Sequence, residues 1–89
     1  MNEAYLEVTF RRGRPLAAYY YLPRKPGQRS YRTRRLAPGL VVDLARDGRP
    51  IGIEITTPSR ITVAALNRVL TKLGLSRVTR SELGPLLAA

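Results

Sequence analysis

Asp43 and Glu54 are the residues whose type and spacing come closest to reaction chemistry. Two carboxylates on one sheet face can share acid–base work or hold a divalent cation. Little else in the chain supports that chemistry. The 89 residues include no His and no Cys, so the usual general base, the commonest metal ligand, a thiolate nucleophile and a disulfide framework are all missing. No Gly-rich phosphate loop is present either. The expectation is a non-enzymatic protein with no catalytic, cofactor-binding or metal residues, in which Asp43 and Glu54 act as counter-charges to Arg34 and Arg32. Exposed pairs of that kind are worth about 0–1 kcal/mol each.

Binding chemistry has a stronger signature. Arg24, Lys25, Arg29, Arg32, Arg34 and Arg35 crowd together beside Tyr19, Tyr21 and Tyr31. Arginines neutralise phosphates and tyrosines stack on bases, so this set suits nucleic acid. It suits an acidic partner protein or a second copy equally, because an amphipathic ring buries area while its hydroxyl stays wet. The formal charge of +10 favours an anionic partner. Arg outnumbers Lys by fourteen to two, a skew that the base composition of a genome can also produce.

The elements that must position these residues follow from periodicity. Leu6, Val8 and Phe10 alternate with Tyr5, Glu7 and Thr9, giving a strand over 5–11. Arg12-Gly13-Arg14-Pro15 is the turn, and 16–22 forms a second strand with Leu16, Ala18, Tyr20 and Leu22 toward the core. Pro23 to Arg29 is a loop of two prolines, a glycine and basic residues. A third strand spans 30–36 and ends at Pro38-Gly39. Asp47-Gly48, flanked by alternating aliphatics, predicts a hairpin of strands 40–45 and 50–55 with a type I′ turn. Arg46 then faces Arg49, Leu44 faces Ile51, Val42 faces Ile53 and Leu40 faces Ile55. Asp43, Gly52 and Glu54 share the opposite face.

For the third strand, a two-residue Pro38-Gly39 connection sets Arg34 opposite Asp43, Thr33 opposite Leu44 and Arg32 opposite Ala45. A slip by one would carry Arg32 and Arg34 to the aliphatic face, where unpaired charge costs several kcal/mol, so the first register is preferred. After Thr57-Pro58-Ser59 the period lengthens to that of a helix over 62–73. Thr62 is its N-cap, Val63, Leu66, Val69, Leu70 and Leu73 its apolar stripe, and Gly74 its left-handed stop. The tail, 75–89, carries a start signal at Ser81-Glu82 before Leu83, Leu86 and Leu87, with Gly84-Pro85 limiting any helix. Docking of those leucines on the same core is favoured over a role in an interface.

These elements predict one small α+β domain over 1–89, a five-stranded antiparallel β-meander covered on one face by the C-terminal α-helix. At this size an oligomer interface often supplements a single core. The first residues, Met-Asn-Glu-Ala-Tyr-Leu-Glu, lack the basic-then-apolar order of an export signal, and no apolar run reaches membrane-span length. A cytoplasmic protein without membrane association is expected.

The order of these segments resembles the bacterial family catalogued as domain of unknown function 2283, over roughly positions 5 to 73. Gly39 to Ile55 carries most of the likeness, with a glycine, an apolar strand ending in Asp, an Asp-Gly turn and a Gly-Ile-Glu strand. This chain departs from the family at Arg11, Arg12 and Arg14 and around Arg34 and Arg35, where members are often acidic. The resemblance implies a small sheet-plus-helix domain without an established activity, and an antitoxin-like role toward a partner protein. The leading expectation is therefore an oligomeric interaction module that binds a partner protein. Sequence-tolerant nucleic-acid binding through the basic, tyrosine-containing surface is the alternative.

Overall fold

Three hairpin turns, each with a bulge beside it, set the register of the sheet. In the computed structural model, which describes residues 3–87 (Leu87 through its backbone alone), β1 (Tyr5–Arg11) and β2 (Arg14–Tyr21) are joined by Arg12-Gly13. Both turn residues have positive φ, 52° and 77°, as a two-residue type I′ connection requires. Leu16 then bulges, so Phe10 faces Pro15 while Thr9 faces Ala17. Leu16 is expected in the core and is instead 54% exposed.

The Asp47-Gly48 turn differs from its predicted class. Gly48 alone has positive φ; the Ala45 amide donates to the Arg49 carbonyl at 2.8 Å and the Gly48 amide to the Ala45 carbonyl at 2.9 Å. This is a three-residue loop with Gly48 in the left-handed position, and Asp47 accepts from the Arg49 amide at 2.9 Å rather than twisting itself. Between β4 (Leu40–Leu44) and β5 (Pro50–Ile55), Leu44 consequently faces Pro50, not Ile51. Ile51 bulges and restores the expected pairing, with Val42 opposite Ile53 and Leu40 opposite Ile55.

The register expected for β3 (Arg32–Ala37) is overturned. Ala37 faces Leu40 across Pro38-Gly39, but a bulge at Leu36 shifts the rest, so that Thr33 faces Asp43, Arg34 faces Val42 and Arg32 faces Leu44. Arg32 and Arg34 thus share the side of the aliphatic residues, the arrangement that desolvation argued against. The cost is avoided because β3 is an edge strand: both arginines remain exposed and extend past the rim into water.

The sheet is antiparallel but not a meander. Its order is β1-β2-β5-β4-β3, with β5 hydrogen-bonded to β2 and β4 on its two sides. The 23–31 connection therefore crosses the width of two strands, β5 and β4, instead of joining neighbours. Burial explains the choice. Ile51, Ile53 and Ile55 are at most 1% exposed, and this most apolar strand takes the centre while the arginine-rich β3 takes the edge.

A 3-10 turn at Pro58–Arg60 leads to α1 (Val63–Lys72). Thr62 caps it by accepting from the Ala65 amide at 3.0 Å. Gly74, at φ 72°, ends it, and the Leu75 amide reaches back to the Leu70 carbonyl at 2.9 Å. Asn67 pairs with the tail backbone: it donates to the Val78 carbonyl at 3.0 Å and accepts from the Val78 amide at 2.7 Å. Thr79 and Glu82 exchange amide bonds at 2.9 and 3.2 Å, placing the start signal two residues before Ser81. The short α2 (Gly84–Leu87) follows.

Leu66, Val69 and Leu70 of α1 share one buried cluster with Ala18, Tyr20, Leu40, Val42, Ile53 and Ile55 of the sheet, and Val78, Leu83 and Leu86 complete it. The side chain of Leu87 lies outside the described residues. Among those residues no helix is long and apolar enough to cross a membrane.

Candidate interaction surface

The face of the sheet opposite the buried cluster is built around Gly52. Tyr19 faces Glu54 and Tyr21 faces Gly52 on β5, while Asp43 faces Gly52 from β4. A Cβ on Gly52 would collide with the Tyr19 ring, so the glycine is what lets that ring lie across β5. The Tyr19 hydroxyl donates to Asp43 Oδ2 at 2.6 Å, and Ser30 Oγ donates to Asp43 Oδ1 at 3.2 Å. Asp43 is only 7% exposed, a buried carboxylate held by two hydroxyls.

The aromatic surface continues outward. Tyr21 stacks on Tyr5 with ring centroids 4.4 Å apart and tilts against Tyr19 at 4.6 Å. Its hydroxyl donates to Glu7 Oε1 at 3.3 Å. Arg24 lies 5.5 Å above the Tyr21 ring and donates from a terminal nitrogen to the Ile51 carbonyl at 2.7 Å. Burial is the main force pushing the Tyr19 hydroxyl well above the ordinary tyrosine value, followed by its bond to Asp43 and that residue's charge; Arg24 opposes them. Tyr21 is raised by burial and then by the Glu7 charge, and Tyr20, on the other face, by burial and then by Glu82.

The candidate binding set is therefore divided. Tyr19, Tyr21 and Arg24 come together on the tyrosine face, with Arg35 on the same side opposite Val41. Arg32 and Arg34 lie on the reverse side, and Arg34 borders a cleft of about 330 Å³ with Lys72, floored by Leu36, Val42, Leu44 and Leu73. Lys25 is exposed beside Arg49 at a separate cleft of about 530 Å³, and Arg29 is exposed in the loop. Tyr31 is 61% exposed with Arg46 stacked 5.4 Å from its ring.

Asp43 and Glu54 are diagonal neighbours on the tyrosine face, as the alternation predicts, but the role expected of them is corrected. Arg32 and Arg34 are on the other side of the sheet, and Asp43 is satisfied by Tyr19 and Ser30. Among the described residues no group of three His, Cys, Asp or Glu could hold a metal ion. Sequence reasoning missed the Tyr19–Asp43 bond. Its signal was Gly52 inside an otherwise aliphatic strand, the mark of a close approach by a neighbouring group.

No family model, curated protein or solved structure matches the chain.

Proposed function

We propose that the protein is a non-enzymatic interaction module that pairs with a second copy of itself through the tyrosine face, while α1 and the tail cover the aliphatic face. One observation carries the reading: Glu7 and Glu54, two of only six acidic residues in the chain, are exposed on the face that also presents Tyr5, Tyr21 and Arg35. Two molecules of charge +10 repel across any basic surface, and least where each offers its carboxylates. A two-fold interface must be self-complementary. Here Glu7, on the β1 edge, can meet Arg35 of the other copy, on the β3 edge, around a centre of tyrosine rings.

The likeness of Gly39 to Ile55 to the domain of unknown function 2283 family is in keeping with a cytoplasmic module of this type, and an antitoxin-like partner would engage the basic surfaces left outside the pair. Light scattering of the purified protein tests the reading. A discrete dimer is expected, and Tyr5→Arg combined with Glu7→Arg should yield folded monomer whose melting temperature falls by about 4–8 °C. These positions are chosen because Tyr19 and Tyr21 also hold the sheet together. A monodisperse monomer of the parent protein would sink the proposal.

A further inference from the structure

The β1–β2 hairpin runs past the rest of the sheet. β5 accompanies β2 only between Ala18 and Tyr21, whereas β1 stays paired with β2 to the end, at Arg11 opposite Arg14. Residues 14–17 thus have a strand on one side alone, β2 touches the 3-10 turn Pro58–Arg60 on its other side, and the end of the hairpin runs on as a two-stranded ribbon. At roughly 3.3 Å per residue the overhang is about 13 Å long.

Its tip is composed against its own stability. Arg11 and Arg14 are directly opposite, a like-charge pair that destabilises a ribbon. Arg12 occupies the left-handed region at φ 52°, which favours Gly or Asn. Phe10 and Leu16 are 49% and 54% exposed just behind them. Among the described residues no carboxylate bonds to any of the three arginines. An external polyanion would offset the repulsion.

We propose that this hairpin is a nucleic-acid arm that lies lengthwise in a groove of a duplex, with Arg11, Arg12 and Arg14 on the flanking phosphates and Phe10, Pro15 and Leu16 against the sugars of the groove wall. A two-stranded ribbon fits the roughly 12 Å major groove, and guanidinium contacts to phosphate make the binding sequence-tolerant. An anionic bilayer fits the tip less well. Arg12-Gly13 leads, so end-on insertion would drive charge into hydrocarbon before Phe10 or Leu16 reached it. A single strand fits less well too, because Arg11 and Arg14 share one face of the ribbon and Phe10 the other, so stacking and phosphate contact do not converge. The arm lies apart from the Gly52-centred tyrosine network and does not depend on dimer formation there.

Fluorescence anisotropy of the full chain with a mixed-sequence DNA duplex, across a potassium chloride series, tests the arm. The triple variant Arg11→Ala, Arg12→Gly, Arg14→Ala should lower the slope of log affinity against log salt by about 2–3 and weaken low-salt binding about tenfold or more. Its melting temperature should not fall, since a glycine suits the left-handed turn position and the like-charge pair is gone. Changing Arg32, Arg34 and Arg35 to Ala should leave most of the slope intact. Unchanged duplex binding by the tip variant would overturn the proposal, as would parent protein that binds phosphatidylserine-containing vesicles or single strands but not the duplex.

Discussion

The two faces of the sheet are organised by different forces. The aliphatic face is held by non-directional burial: Leu40, Val42, Ile53 and Ile55, with Leu66 and Leu70 of α1, are each at most 1% exposed, and apolar side chains of similar volume would satisfy much the same demand. The tyrosine face depends on direction. Tyr19 must cross Gly52 to reach Asp43, and Tyr21 must sit between Tyr5, Tyr19 and Arg24. One face therefore provides the bulk of the stability and the other specifies which strands lie side by side, since the Tyr19–Asp43 bond spans β2, β5 and β4.

The largest effect should come from breaking the aliphatic face. Leu66→Ala should cost about 2–5 kcal/mol in chemical denaturation, through lost transfer energy and the cavity left under α1. Gly52→Ala strikes the other face and should cost about 1–3 kcal/mol, because the added methyl displaces a ring that Asp43 holds in place. Tyr19→Phe should cost about 1–3 kcal/mol by leaving the buried Asp43 carboxylate one donor short. The double variant should cost clearly less than the sum if both act through the same ring position, which a thermodynamic cycle measures.

Alkaline titration sharpens the contrast further. The folded Tyr19 hydroxyl holds its proton above the ordinary value of 10.0, so the folded state binds the proton more tightly than the unfolded chain. That contribution is complete below pH 10.0 and is lost progressively as the pH rises above it. Parent protein should lose stability at alkaline pH more steeply than Tyr19→Phe, followed by circular dichroism. The smallest effect is expected at the exposed end of the ladder, where Tyr5→Ala should cost about 0.5–1 kcal/mol of fold stability. Its effect on dimer dissociation should be larger than that.

The two faces were also unequally legible in the sequence. The strands, the buried aliphatics and the capped helix follow from periods of two and nearly four, which tertiary context rarely conceals. Register counted outward from a turn is more fragile, since one bulged residue moves every later side chain to the other face. Leu36 did this to β3 and removed Arg34 from Asp43. In the β4–β5 hairpin, the loop is one residue longer than a type I′ turn and Ile51 bulges by one; the two departures cancel, so Leu40 meets Ile55 as expected. Strand order was not legible because the 23–31 loop has no property that distinguishes a neighbouring strand from one three places away. The Tyr19–Asp43 bond inherited that gap, as it exists only when β5 separates β2 from β4.

The insertion of β5 between β2 and β4 also governs when the sheet can form during synthesis. The strand that occupies the middle is the last of the five to leave the ribosome. Until it emerges, the β1–β2 hairpin has no third strand, and an isolated hairpin is marginal in water. β3 and β4 meanwhile pair without the neighbour that buries them. Neither half can commit early, so assembly waits for residues 50–55 and then closes on both sides of them at once. The nascent chain spends the interval with its charged edge strand already made and its aliphatic centre still unsynthesised, and the residues of α1 and the tail that complete the buried cluster emerge later still.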